Sequence, residues 1–409
     1  MQGKKKVLIL QADSNGGYPV PAVRGGAVST LVEHLVRGNN EKQLIDLTIM
    51  SVYNKQAETT AKDKYPKIRF LWVKRPLLVK VFDWLIMHVV KTLFPRKKLL
   101  SFMSIASLLW YIWKASRLLK REPFEKVVLQ NNMPLAWAIR LSGYKGEFFY
   151  HLHNTPRTNV KCKQVFQLCK AYLCVSKSVG NDISIMANPI GPVSQNKIRV
   201  LYNCIDTNLF REKVINKVVW RNRLGINDTD RVIVFVGRLS EEKGIDQLLL
   251  ALDYVKTENV KVLIVGSLMY NNIKDSYQEK ILAMAKQHSE KVFFTGYISQ
   301  QELPDIYNLA DISVLPSMWD EPAGLTMIES LACGTPVITT RSGGITEYVE
   351  GGAVVLDRDE NLPIAIAKNI DLLLSDIVMY NEYATRGKNR IKKMFSNQGY
   401  IDRFVQCIM

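Results

Sequence analysis

The 409-residue sequence has no CxxC pair and no cysteine–histidine cluster with zinc-ligand spacing; six cysteines, at 162, 169, 174, 204, 333 and 407, are scattered among five histidines. That excludes a disulfide scaffold and a structural zinc site, and points to buried, reduced thiols in a cytosolic protein. Long apolar runs are missing too. Leu99 to Trp113 is a fifteen-residue stretch without charge, short of the ~20 residues that cross a bilayer. At the start, the apolar run Val7-Leu8-Ile9-Leu10 is too brief for a signal peptide and reads as a first strand. No internal repeat or low-complexity segment occurs. Acid is scarce overall, the net charge being +17, and scarcest between Lys74 and Arg121. Eleven Lys/Arg there face one acid, Asp83, so the segment alone supplies 11 − 1 = +10, along with Trp84, Trp110 and Trp113 of the seven tryptophans. Neither a recognition helix nor an RNA-binding platform accompanies this charge, which argues against nucleic acid. Basic residues with interfacial aromatics suit the face of an anionic membrane. Core helices with merely solvated lysines are the alternative.

What is present is a globular composition, 47% hydrophobic and 23% charged, on a chain long enough for two domains of roughly 200 residues. Short β-branched runs alternate with helical patterns from end to end. This predicts an α/β protein with two parallel-sheet domains. Expected strands include Lys6–Leu10, Lys126–Gln130 and Phe148–Leu152 in the first half. In the second half they include Arg231–Val236, Lys261–Gly266, Val292–Ile298 and the runs flanking residues 316–336.

That last stretch, PSMWDEPAGLTMIESLACGTP, organises the chain. Asp311–Leu315 and Pro336–Thr340 are strand-like, while Leu325 to Cys333 has helical spacing and stops at Gly334. The loop therefore lies at a strand's carboxyl end, where open α/β sheets bind ligands. The amides of Gly324, Leu325 and Thr326 open the helix and form an anion site suited to phosphate. Glu321 in the loop and Glu329 one turn into the helix offer carboxylates to sugar hydroxyls. Together they read as a sugar-nucleotide site, against the plainer reading of two solvated acids. Arg238 and Lys243, in GRLSEEKG after another strand, are cations of the kind that hold a diphosphate. A strand also ends in His151-Leu152-His153-Asn154, at the ligand edge of its sheet. One of these histidines is expected to face the cleft and the other a packed face.

Glu321-Pro-Ala-Gly-Leu-Thr-Met-Ile-Glu329 resembles the E-x7-E motif of retaining GT-B glycosyltransferases, in particular glycosyltransferase family four, and the flanking Leu315-Pro316-Ser317 and Cys333-Gly334-Thr335-Pro336 agree. The resemblance runs through most of the second half and touches the first at Gly25-Gly26 and His153-Asn154. Between the halves, Tyr202 and Cys204 stand where its pattern has proline and glycine.

The resemblance implies a GT-B fold of two Rossmann-like, doubly wound domains facing across a cleft. Residues 1–205 would bind acceptor, 206–390 the nucleotide sugar, and 391–409 would form a terminal helix crossing back. It implies donor contacts at Gly25, Gly26, Gly296, Tyr297, Ile298, Gly324, Leu325, Thr326 and Glu329. Reaction roles fall to Glu321, His153, Arg238 and Lys243, with the base received at Gly296–Ile298, the ribose at Glu329 and the reacting sugar near His153. No metal or cofactor is expected, because fixed cations neutralise the diphosphate. The strings Asp228-Thr229-Asp230 and Asp357-Arg358-Asp359 are accordingly read as surface turns. Glu321→Ala is expected to abolish turnover and leave the fold intact. The expected activity is metal-independent, retaining hexosyl transfer to a glycan, lipid-linked at the inner membrane face, in surface polysaccharide assembly such as a capsule. A nucleotide-sugar 2-epimerase of the same fold is the main rival. A nucleic-acid-binding protein is a weaker one, and a glycan phosphorylase would need a pyridoxal phosphate lysine for which no motif is apparent.

Overall fold

The computed structural model describes residues 3–12, 18–23, 26–93, 104–266 and 276–409. The chain divides into two compact units, Met1–Tyr202 together with Asn397–Met409, and Asn203–Ser396.

In the first unit, strands β1 (Lys6–Leu10), β2 (Asp46–Val52), β3 (Arg69–Val73), β4 (Lys126–Gln130), β5 (Glu147–Leu152), β6 (Ala171–Cys174) and β7 (Ile198–Val200) form a parallel sheet in the order β3-β2-β1-β4-β5-β6-β7. Val7–Leu10 are completely buried, as a central parallel strand covered on both faces must be. The Ala27–Lys42 helix buries Leu31, Val32, Leu35 and Val36, the spacing of a core-facing stripe. The last helix, Tyr400–Ile408, lies against it, with Lys42 Nζ 2.5 Å from Asp402. The chain's end therefore belongs to this unit although its sequence follows the second.

The basic segment folds as two packed helices, Leu77–Leu93 and Ile105–Arg121. Its single acid is the fastener. Asp83 is buried, and its Oδ1 accepts hydrogen bonds from the amides of Ala106, at 2.8 Å, and Ser107. The Ser107 hydroxyl donates to Oδ2. Asp83 thus caps, from outside, the positive end of a helix whose own Ser104 makes no capping bond. Arg96-Lys97-Lys98 and the start of the charge-free stretch lie outside the described residues. Among those described, no helix is long and apolar enough to cross a membrane.

The second unit holds β8 (Arg231–Val236), β9 (Val260–Val265), β10 (Val292–Gly296), β11 (Ile312–Leu315), β12 (Val337–Thr340) and β13 (Val354–Leu356), all parallel, in the order β10-β9-β8-β11-β12-β13. Each sheet reverses its winding once, beside β1 and β4 in one and β8 and β11 in the other. The carboxyl ends of those strands are where such sheets bind ligands. At the start of the second unit, Cys204 is buried with a backbone outside the left-handed region, so a side chain is accepted where the resemblance has glycine.

Candidate functional site

After β8, Gly237-Arg238-Leu239-Ser240 leads into the single turn Glu241–Lys243, closed by Gly244 at φ 65°. After β11, residues 316–324 lead into the Leu325–Ala332 helix. The two loops are laced together: the Met318 amide and the Ser317 hydroxyl donate to the Glu242 carbonyl at 2.9 and 3.1 Å. A Cβ on Gly244 would lie 2.0 Å from the Pro316 carbonyl oxygen, so only glycine permits this approach. From the other side comes the loop after β12. The Gly344 amide donates to the Glu321 carbonyl at 2.7 Å, and a Cβ on Gly343, at φ 49°, would meet that oxygen at 2.5 Å. Arg358 adds a clamp, its guanidinium 2.6 Å from Asp320 and 3.2 Å from the Met318 carbonyl.

This bracing holds Glu321, only 8% exposed, with its Oε1 accepting from Lys243 Nζ at 2.6 Å and from the Ser317 hydroxyl at 2.8 Å. Two residues 78 apart in sequence thus form one nearly buried ion pair. Alanine at 321 would strand the Lys243 ammonium, and removing one partner of a buried pair costs about 3–5 kcal/mol, so Glu321→Ala would mix a loss of stability with a loss of turnover. The lysine stem's reach toward water moderates that loss. Glutamine, which keeps an acceptor for Lys243, is the better probe.

Beside the pair, the Leu325–Ala332 helix starts at Gly324 with neither a side-chain cap nor an acid in its first turn. The amides of Leu325 and Thr326 have no intrahelical acceptor, and the helix dipole favours an anion there. Glu329 follows one turn on, its Oε2 accepting from the Tyr307 hydroxyl at 3.3 Å. The residue is half-buried. Burial pushes its carboxyl up to about 8, with the Tyr307 bond acting weakly in the opposite direction. This favours the protonated carboxyl at neutral pH. Arg238 lies farther out, its side chain 67% exposed and 3.4 Å from Glu242, a surface pair too weak to fix it. At the end of β10, the Gly296 carbonyl accepts from the Gly266 amide at 3.1 Å, Tyr297 is exposed and Ile298 is nearly buried.

The sequence-predicted residues of the first unit occupy the matching edge of its own sheet. Gly26 opens the Ala27–Lys42 helix at φ 97°, where a Cβ would press on the Tyr18 ring. Gly25 lies outside the described residues. His153 is 8% exposed; its amide donates to Asn131 Oδ1 at 3.0 Å, and its Nε2 is 3.2 Å from Gln130 Oε1. The expectation that His151 and His153 diverge is wrong. Two positions apart, they share one side of the strand, with ring centroids 4.1 Å apart. Burial holds His153 down at about 3 and His151 well below the ordinary histidine range, so both are neutral. Among the described residues, Gln11 Oε1, Gln130 Nε2 and both ring nitrogens of His151 are buried without a hydrogen-bond partner. The register sets Gln130 beside His151 and carries Gln11 into line with Gln130. This is a neutral, under-satisfied row across three strand ends.

The two acidic strings lie in exposed turns and loops as expected, except that Asp230 is buried and accepts from the Asn227 amide at 2.7 Å. Asp357 pairs with Arg341, while Arg358 clamps the loop beside Glu321. Among the described residues, no group of three or more His, Cys, Asp and Glu is gathered as for a metal ion.

Sequence reasoning did not foresee Tyr307, the glycine contacts or the row of Gln11 and Gln130. A polar residue ending an apolar strand was the one available signal, and Gln130 shows it.

Residues 216–390 match the family model described as Glycosyl transferases group 1; the second unit carries such a domain. The chain is 32% identical over 220 residues to an uncharacterized glycosyltransferase of Methanocaldococcus jannaschii, covering 52% of each. It is 25% identical over 288 residues to a lipopolysaccharide 1,2-N-acetylglucosaminetransferase of Salmonella typhimurium, covering 68% of this chain and 71% of that one. The chain spans about half the length of the curated relatives it matches first. In structure it is similar to Anabaena HepE, crystallised with UDP and glucose, at TM-score 0.70 and 16% identity over 98% of both chains. The two doubly wound parallel-sheet units are those of the GT-B fold.

Proposed function

We propose that the chain is a glycosyltransferase that moves a sugar from a nucleoside diphosphate sugar to a hydroxyl of a glycan, with retention at the anomeric carbon and without a metal. The observation that carries this reading is the Lys243–Glu321 pair, nearly buried beside an uncapped helix start at the ligand edge of the second sheet. One spot there combines a cation, free amides and a carboxylate, which suits a diphosphate joined to a polyol.

The roles follow from the chemistry. The Leu325 and Thr326 amides and Lys243 stabilise the diphosphate as charge develops on it, and Arg238, loosely held, swings in to complete the cation set. Glu321 accepts from hydroxyls of the donor sugar. Glu329 accepts from the ribose; because it begins protonated, nucleotide binding releases a proton near neutral pH and tightens as pH rises toward 8. The acceptor attacks from the leaving-group face, and a phosphate oxygen takes its proton. In the first unit, neutral His153 and the orphaned donors and acceptors of Gln11, Gln130 and His151 suit hydroxyls rather than phosphate. The acceptor is lipid-linked, in surface polysaccharide assembly such as a capsule, with the basic segment 74–121 resting peripherally on the inner face of the membrane. The Salmonella relative's printed activity on lipopolysaccharide and the segment's charge support this.

An epimerase would release a modified sugar nucleotide without an acceptor. Incubating the protein with UDP-, GDP-, dTDP- and ADP-sugars, with and without EDTA, and following products by NMR tests the reading. Acceptor-dependent release of diphosphate and an α-linked product from an α-donor are expected. A 2-epimerised donor, or turnover lost to EDTA, would contradict it.

A further inference from the structure

We propose that the outward side of the Leu77–Leu93 helix is a membrane-docking face, which enters the interfacial layer of an anionic bilayer while the helix lies flat. The inference rests on the reading of a lipid-linked acceptor and assigns the contact to one surface. The Leu77–Leu93 helix is apolar over most of its surface, interrupted by Lys80, Asp83, His88 and Thr92, and among the described residues one arc of it turns inward. Val79, Ile86, Met87 and Val90 turn inward with buried Asp83, which is fastened to the Ile105–Arg121 helix. An outward arc carries Leu78, Phe82, Leu85 and Val89, spaced as one stripe and flanked by Leu77 and Trp84, with exposed His88 and Thr92 beside it. Leu77 and Leu78 are 75% and 72% exposed, and Trp84 and Phe82 are 59% and 57% exposed. A contiguous apolar surface of this kind marks an interaction site rather than ordinary surface.

Charge selects the occupant. Arg75 and Lys80 are exposed at the start of the stripe. On the neighbouring helix, the half-exposed Trp113 has Lys114 and Arg117 stacked on its ring at 5.4 and 5.1 Å. The segment's one acid is turned inward. Cations at the rim, aromatics beside them and aliphatics between match an anionic headgroup layer above acyl chains. A second copy of this chain would bring like charges together. At 17 residues the helix is about 26 Å long. With Asp83 committed to the neighbouring helix, it is built to lie on a membrane. That fastening also fixes the angle at which the stripe is presented.

The test is flotation of the full chain with vesicles of phosphatidylglycerol and phosphatidylethanolamine, and separately with phosphatidylcholine alone. Alongside, L78S/F82S is compared with the parent for vesicle binding, circular dichroism, sedimentation and stabilisation by UDP, GDP, dTDP and ADP. Expected are binding to the anionic vesicles that survives partly in 1 M salt, and at least a tenfold loss in L78S/F82S with an unchanged spectrum. Overturning results are equal binding by variant and parent, complete loss of parent binding in salt, or a dimer that the variant converts to monomer. If the double variant fails to fold, Trp84→Ser alone, with the same readouts, replaces it. Stabilisation by a diphosphate without vesicle binding would sink this inference and leave the nucleotide site standing; vesicle binding without stabilisation by any diphosphate would do the reverse.

Discussion

The two sheets end in edges of opposite chemistry. In the second unit, the acids of the candidate site are engaged, Glu321 by Lys243 and Ser317, its backbone by Gly344, Asp320 by Arg358, and Glu329 by Tyr307, while the Leu325 and Thr326 amides stay open and the Ser240 hydroxyl is buried without a partner. In the first unit, Gln11, Gln130 and His151 are buried with atoms left over. An edge of fixed charges and amides is preorganised for an anion, which must be met the same way each time. An edge of neutral groups with unused donors and acceptors suits hydroxyls, which can both give and accept. Under the proposed function, the braced edge would meet the donor, and the edge with unmet hydrogen bonds would meet the acceptor once a ligand or water fills them.

Charge removal in the braced edge should have the largest effect. Lys243→Ala leaves the Glu321 carboxylate nearly buried and unpaired, a loss of about 3–5 kcal/mol, read by urea unfolding; stability within 1 kcal/mol of the parent would mean that the pair does not brace the site. Next, Glu321→Gln keeps the lysine's acceptor but weakens the hold on donor hydroxyls. Turnover should fall on the order of 100-fold with little change in thermal midpoint. Turnover like the parent's would remove Glu321 from the reaction.

In the under-satisfied edge the sign should reverse. His151→Phe deletes two orphaned nitrogens and keeps the ring against His153, so stability should rise by about 1–2 kcal/mol. A loss of that size would show that His151 is hydrogen-bonded in solution and that the two edges are less different than described. A separate effect, read across pH rather than at one pH, concerns Glu329. Glu329 has its folded pKa raised from 4.5 to about 8, so the native state keeps a proton that the unfolded chain gives up. Its contribution is fully present below about 4.5 and is lost as pH rises to about 8. Relative to the parent, Glu329→Gln should therefore gain thermal stability between about pH 5 and about pH 8 and level off above that. A constant difference across that range would place the carboxyl in water.

Much of this was legible in the sequence because buried parallel strands are near-continuous apolar runs; β1, β4 and β8 have the bounds that their residues suggest. β13 escaped, since three residues, Val354–Leu356, are too few to show a period. The loop from Glu321 to Glu329 was legible as a candidate site because its residue types converge locally. The Lys243–Glu321 bond, the contact of Gly343 with Glu321 and the raised pKa of Glu329 were not, because each depends on elements brought together only by the fold. The histidine pair was misjudged for a simpler reason: positions 151 and 153 are two apart, and strand alternation puts them on the same side.

The most direct measurement is the thermal midpoint of the full chain with UDP, GDP, dTDP and ADP, with and without EDTA, in the parent and in Arg238→Ala. A ligand at 100 times its dissociation constant adds about 2.7 kcal/mol. The account predicts a clear rise from one diphosphate, unchanged by EDTA and diminished in Arg238→Ala. No rise from any of the four, or a rise abolished by EDTA, would contradict a metal-free nucleotide-sugar site at the edge of the second sheet.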